Sequence, residues 1–299
     1  MLDSVNSNTS TMRGPACVVL ALAAAGTLCL DAGPQTPQFK SGINTVEVYA
    51  AVVGPDGRPI ARLTRDDFTV LEDGRPQSVT TFAEADFPLS VAIGIDRSFS
   101  MTALLATAKS GARTFLGELR PQDEAMLVAI GSAVETMAPL STDRDAQFSA
   151  VDSLRPWGTT GLHDAIIHSI DAIQSARGRR ALVLLSDGQD RYSQAPADAA
   201  IDQARRSDVM MYPVALGGRR PQLFADLAAL TGGRSFDPRT AADVNAAMRA
   251  VASELHHQYL LGYVPSRPIA AGRPEWRTIQ VRVRQTNATV RTRAGYVAQ

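Results

Sequence analysis

Five side chains in this sequence have the types and spacing to hold a hard metal ion. Asp96, Ser98 and Ser100 alternate in PLSVAIGIDRSFSM at 88–101, Thr160 stands in PWGTTG at 156–161, and Asp187 closes the apolar run ALVLLSDG at 181–188. Carboxylates mixed with neutral hydroxyls are oxygen donors suited to Mg²⁺ first, with Mn²⁺ or Ca²⁺ as alternatives. No His or Cys joins them, which argues against zinc. A donor set with so little negative charge leaves a cation electron-poor and a coordination position free, which an incoming carboxylate can fill. Nucleophilic chemistry has no comparable basis: the chain carries neither a nucleophile elbow nor a phosphate-cradling glycine loop. No catalytic residue and no organic cofactor is therefore assigned.

The elements that must position these residues are readable from changes of period. Leu89 to Ile95 is an almost unbroken apolar run, as in a strand buried on both faces of a parallel sheet. From Met101 onward Leu104, Leu105, Ala108, Ala112, Phe115 and Leu116 recur at helical spacing. Glu124 to Ile130, Ala181 to Leu185 and Val209 to Leu216 are further apolar strands, and helices are expected over 143–154, 162–176, 196–206, 221–230 and 241–257. This alternation is the pattern of a doubly wound, mostly parallel α/β sheet, in which ligands bind at the carboxyl edge of the strands. Asp96, Thr160 and Asp187 all fall at that edge.

Both flanks read as β structure. Val46, Val48, Ala50 and Val52 alternate with polar residues, and a hairpin is expected between 68–72 and 78–82, closed by Asp73-Gly74-Arg75-Pro76. Thr64 and Asp67 are spaced as a capping box. In the tail, 258–264, 277–284 and 289–293 read as strands, with Arg282, Arg284, Arg291 and Arg293 expected to face outward. The α/β domain is therefore expected as an insertion in a small antiparallel unit, with segments 1–33, 34–42, 43–87, 88–257 and 258–299 as leader or anchor, linker, first β part, α/β domain and second β part. The tetrapeptide Asp-Gly-Arg-Pro, at 56–59 and 73–76, reads as turn chemistry because neither copy has the further acidic ligands of a calcium loop. His163, His168, His256 and His257 have no ligand spacing and read as packing or surface residues; Asp164 and Asp190 read as loop braces.

The 299 residues carry 30 Lys and Arg against 30 Asp and Glu, so net charge gives no reason to expect nucleic acid or a membrane surface as partner. Cys17 and Cys29 both lie in the uncharged stretch 14–30, which reads as a secretory signal or an uncleaved anchor. Translation from Met12 would give that stretch a compact Met-Arg start. Export to the periplasm, the cell surface or the medium is expected, with membrane contact only through this N-terminal stretch.

Taken together, Asp-x-Ser-x-Ser after the first central strand, Thr160 in a second loop and Asp187 in a third resemble the metal-ion-dependent adhesion site of von Willebrand factor A-type domains. Gly158-Thr159-Thr160-Gly161-Leu162-His163-Asp164-Ala165-Ile166 is similar to the family's GGTALYDAI loop, which selects Thr160 over Thr159. The resemblance implies that Ser98, Ser100 and Thr160 reach the metal directly, and Asp96 and Asp187 directly or through water. Arg97 and Phe99 depart from the small residues many members carry there. The segments 57–59, 63–74 and 259–263 with 293–296 resemble the exported A-domain proteins abundant in acidobacteria. These resemblances imply an exported binding module that captures an Asp or Glu of a protein partner through the metal; a metal-assisted hydrolase and an envelope scaffold with a vestigial site are the alternatives.

Overall fold

The computed structural model describes residues 45–84, 87–269 and 272–299. The expected leader or anchor at 1–33 and linker at 34–42 lie outside the described residues. The chain first forms β1 (Val46–Val53), β2 (Phe68–Glu72), β3 (Arg75–Gln77) and β4 (Val79–Glu84). Strands β5 (Leu89–Asp96), β6 (Glu124–Ile130), β7 (Val134–Ser141), β8 (Arg179–Ser186) and β9 (Met210–Ala215) come next. Between and after them lie α1 (Leu105–Glu118), α2 (Arg144–Ser153), α3 (Leu162–Ile173), α4 (Ala197–Arg206), α5 (Gln222–Thr231) and α6 (Ala241–His256). Strands β10 (Gln258–Tyr263), β11 (Glu275–Val283), β12 (Thr289–Arg291) and β13 (Gly295–Ala298) complete the chain.

The central sheet runs β7-β6-β5-β8-β9, parallel except for the antiparallel edge β7. Every residue of β5 is buried, because helices cover both faces and no side of the strand meets water. One face packs on α1, α2 and α6 through residues such as Ile93, Ile95, Phe115, Met248 and Val251. The other packs on α3, α4 and α5 through Ala92, Val128, Ile166, Ile170 and Phe224. Gly111 lets α1 lie close to α6, since a β-carbon there would fall 2.7 Å from Val244 Cγ1.

Two four-stranded antiparallel sheets, β12-β1-β10-β4 and β13-β11-β2-β3, enclose a separate apolar core that includes Val48, Val70, Tyr259, Leu261 and Val281. Strand β10 lies between β1 and β4, with Leu261 opposite both Val48 and Phe82. The strands that precede the α/β domain are thus paired with those that come after it, and the doubly wound domain is an insertion in this antiparallel unit, as the fold reading expects.

Three local expectations are corrected. The hairpin from β2 closes through Asp73 and Gly74 onto β3 only, three residues long; Pro76 has no N–H to extend a ladder, and the chain then crosses to the opposite sheet as β4. The helix expected from Met101 is preceded by a 3₁₀ turn at Phe99–Met101 and starts at Leu105. Beyond α5, Phe236 adds one isolated parallel bridge to Val214. Arg282 and Arg284 are exposed, but Arg291 turns inward to pair with the buried Glu254, and Arg293 lies over the Tyr296 ring at 5.9 Å. A lone carboxylate buried at that place is costly, and the inward arginine offsets it.

Candidate metal centre

The parallel run of β5 and β8 ends two strands side by side, so their first polar residues meet. Asp96, the last residue of β5, is fully buried; its Oδ2 accepts the Ser186 hydroxyl of β8 at 2.6 Å and its Oδ1 accepts the Ser98 backbone N–H at 2.9 Å. Ser98 is also buried, and its Oγ lies 3.1 Å from Ser100 Oγ. Gly188 N–H donates to the Ser186 hydroxyl at 3.0 Å, which fixes the start of the third loop.

Three loops are tied together at this edge by backbone hydrogen bonds. Phe99 N–H donates to Gly158 O at 3.0 Å and Trp157 N–H to Arg97 O at 2.7 Å, joining the first loop to the second. Arg191 and Tyr192 N–H groups donate to Thr160 O at 2.9 and 3.0 Å, joining the third to the second. Thr160 is buried, and its hydroxyl forms no hydrogen bond with another described residue. Asp187 is half-buried; it accepts the Gln189 N–H at 3.0 Å and lines a cavity with Leu104, Gly188 and Arg219. The structure therefore brings Asp96, Ser98 and Ser100 into one hydrogen-bonded group, with Thr160 and Asp187 on the loops bonded to it.

Burial pushes the Asp96 carboxyl up from the ordinary carboxylate range. Hydrogen bonds from Ser186 and Ser98 oppose that push, and the charge of Asp187 adds to it. Among the described residues no Lys, Arg or His forms an ion pair with Asp96. The other buried carboxylates each have one: Glu72 pairs with Arg277, Asp123 with His256 and Glu254 with Arg291. A buried carboxylate without a cation among hydroxyl oxygens fits a metal ion. The Ser98–Ser100 spacing agrees, since neighbouring oxygens on an octahedral Mg²⁺ lie about 3.0 Å apart for bonds of about 2.1 Å. No group of three or more His, Cys, Asp and Glu among the described residues could hold a metal, so a site here depends on hydroxyls.

The side residues have structural work. Asp190 accepts the Leu162 N–H at 2.7 Å and the Ser193 hydroxyl at 2.5 Å, holding the N-terminus of α3 to the third loop. Asp164 accepts the Gln194 and Ala195 N–H groups at 2.8 and 2.9 Å. His256 Nε2 lies 2.8 Å from Asp123 at the opposite end of the sheet. Ser186 holds Asp96 yet does not stand out in the sequence; its only signal there is its place as the last residue of a buried strand.

Residues 91–189 match the family model described as von Willebrand factor type A domain. The chain carries a von Willebrand factor type A domain. Among solved structures, a von Willebrand factor type A protein from Catenulispora acidiphila aligns with a TM-score of 0.51 at 16% identity, over 77% of this chain and 73% of that one. An aerotolerance-related membrane protein from Bacteroides fragilis aligns at 0.47 and 19% identity, over 56% and 98%. The von Willebrand factor domain of a type V pilus tip protein from Porphyromonas gingivalis aligns at 0.47 and 13%, over 57% and 96%. No curated protein matches the chain in sequence. The matched segment of the A-type domain runs from β5 to the third loop and so contains all five candidate metal residues.

Proposed function

We propose that the chain is an exported binding protein whose A-type domain holds a divalent cation, Mg²⁺ in the first place, and through it captures an Asp or Glu carboxylate of a protein partner. The observation that carries this reading is Asp96: a buried carboxylate, unpaired with any basic side chain among the described residues, set among the hydroxyls of Ser98, Ser100 and Ser186. When bound, the cation supplies a vacant coordination position with affinity for a carboxylate oxygen. Ser98, Ser100 and Thr160 offer neutral oxygens, so the partner's carboxylate is not repelled by a crowded acidic site. Asp96 supplies the one buried negative charge, and Asp187 a second at the rim.

A hydrolytic reading has less support. A positioned general base is needed beyond Asp96 and Asp187, which the cation reading already uses, and the neighbouring Asp164 and Asp190 are occupied by backbone N–H groups. Export rests on the apolar stretch at 14–30; among the described residues no helix is long and apolar enough to cross a membrane.

Calorimetric titration of the full chain with Mg²⁺ and Mn²⁺, wild type beside Asp96→Ala, tests the site. Saturable binding by the wild type that disappears in the variant, with circular dichroism unchanged, is the expected result. A folded wild type that binds neither ion, alone or with an added Glu-containing peptide, overturns the reading.

A further inference from the structure

The described residues expose four large hydrophobic side chains, and three of them stand on the loops of the metal centre. Phe99 is 65% exposed, Trp157 43% and Tyr192 53%; the fourth, Val264, at 44%, comes just after β10 in the antiparallel unit. Single exposed hydrophobics need no explanation. These three differ in that each belongs to a different loop of one site, and the backbone N–H of each makes a bond that joins two loops: Phe99 to Gly158, Trp157 to Arg97 and Tyr192 to Thr160. Phe99 lies between the two serines Ser98 and Ser100.

Trp157 is held in place from beneath. The Arg97 guanidinium stacks on its ring with 5.1 Å to the centroid, and Glu135 fixes that guanidinium through a 2.7 Å ion pair. Gly131 provides the floor, since a β-carbon there would fall 2.8 Å from Trp157 Cε3 and 2.9 Å from Trp157 O. Arg97 thus replaces the small residue common in the family with a support for an exposed indole. An aromatic side chain fixed before binding loses little further freedom when a partner covers it.

We propose that Phe99, Trp157 and Tyr192 form an aromatic rim on the cation site, which selects a partner segment whose metal-seeking Asp or Glu is flanked by large apolar side chains. This rests on the cation-dependent reading above and specifies the partner's chemistry. The carboxylate goes to the cation, and its neighbours in sequence must then lie over the loop tips. Apolar neighbours bury the aromatic faces there, whereas polar ones would lose water without gaining a partner. Aromatic residues are prominent among the few that dominate binding energy at interfaces. Charge agrees with an acidic occupant: the exposed Arg191 lies in the third loop, and the exposed Arg219 and Arg220 come after β9 at the same sheet edge.

The test uses the full chain and three synthetic peptides: a central Glu flanked by Leu and Phe, a central Glu flanked by Ser, and a central Gln flanked by Leu and Phe. Binding is read by interferometry in Mn²⁺ and in EDTA, beside calorimetry of Mn²⁺ alone. Tightest binding is expected for the apolar-flanked Glu peptide, in Mn²⁺ only. Phe99→Ala, Trp157→Ala and Tyr192→Ala should together weaken it by about tenfold or more while Mn²⁺ affinity stays unchanged. Gly131→Ala, which displaces the indole without removing it, should weaken the same peptide. Equal affinity for the two Glu peptides, or an unaffected triple variant with Mn²⁺ binding intact, overturns the rim and leaves the metal reading standing. Loss of Mn²⁺ binding in the wild type, or equal binding of the Glu and Gln peptides, overturns the metal reading and the rim with it. Metal-dependent dimerisation in place of peptide binding assigns the rim to a second copy and also overturns the proposal.

Discussion

Glu72 and Asp96 are both buried carboxylates at the ends of strands, and the protein treats them in opposite ways. Glu72, in the antiparallel unit, accepts the Arg277 guanidinium at 3.1 Å and the hydroxyls of Tyr263 and Tyr296 at 2.8 and 2.9 Å. Asp96, at the edge of the parallel sheet, receives one hydroxyl and one N–H but no cation among the described residues. The first arrangement is complete without a ligand. Where burial leaves a carboxylate without a cation, its charge is met by a proton or by a ligand ion, and the second is what the proposed cation supplies.

Removing the internal cation should have the largest effect. Arg277→Ala strands Glu72 as an unpaired buried charge and also leaves the carbonyls of Arg267 and Pro268 without their donor. A loss of about 3–5 kcal/mol is expected, read by urea unfolding. Adding Glu72→Gln should recover part of it; no recovery would show that Arg277 acts through packing alone, and the contrast with Asp96 would weaken.

Supplying the external cation comes next. At Mg²⁺ a hundredfold above its dissociation constant, the wild type should gain about 2.7 kcal/mol by mass action. Asp96→Asn should gain none, and thermal unfolding with and without Mg²⁺ reads the difference. Equal stabilisation of both proteins would place the ion elsewhere.

Asp123 is the intermediate case, because its partner His256 is a cation only when protonated. Burial raises the Asp123 carboxyl, but hydrogen bonds from His256 and from the Arg120 and Leu89 N–H groups outweigh it and hold the group below the ordinary carboxylate range. A depressed carboxylate adds stability that is complete above its unfolded pKa and is lost as pH falls through its folded one. Asp123→Asn should therefore cost about 1.5–3 kcal/mol at neutral pH. The gap from wild type should close as pH drops below roughly 4. A gap that persists to pH 2 would mean that the charge of Asp123 contributes nothing.

These differences are unevenly legible in sequence. The parallel sheet is readable because strands buried on both faces are continuous apolar runs, and Asp96 and Asp187 are conspicuous as the first acids after such runs. Thr160 requires the resemblance of its loop. The Glu72–Arg277 pair has no local signal, with the partners 205 residues apart. Arg291 escapes a sequence reading for the same reason, since strict alternation says which side of a strand a residue takes but not that a buried Glu254 waits there. The support of Trp157 by Arg97 and Gly131 joins three separate segments, and only the folded chain brings them together.

The smallest expected effect is the most discriminating. In EDTA, Asp96→Asn keeps the shape of the side chain and removes a buried charge that nothing among the described residues neutralises. Its amide oxygen can still accept the Ser98 N–H or the Ser186 hydroxyl, so at most one hydrogen bond weakens, at about 0.5–1.5 kcal/mol. Removal of an unpaired buried carboxylate offsets that loss, and the net change should lie within about 1 kcal/mol of zero. The same chemical change at Glu72 should be destabilising, because it takes one of two carboxylates from the buried Arg277 guanidinium, leaving Glu275 alone, and weakens the acceptor of the Tyr263 and Tyr296 hydroxyls. If Asp96→Asn unfolds the metal-free protein as readily as Glu72→Gln does, then Asp96 is a structural carboxylate like the others and its lack of a cation carries no functional meaning. If it leaves stability intact in EDTA yet abolishes the response to Mg²⁺, the two carboxylates are separated by role, one for the fold and one for the ligand.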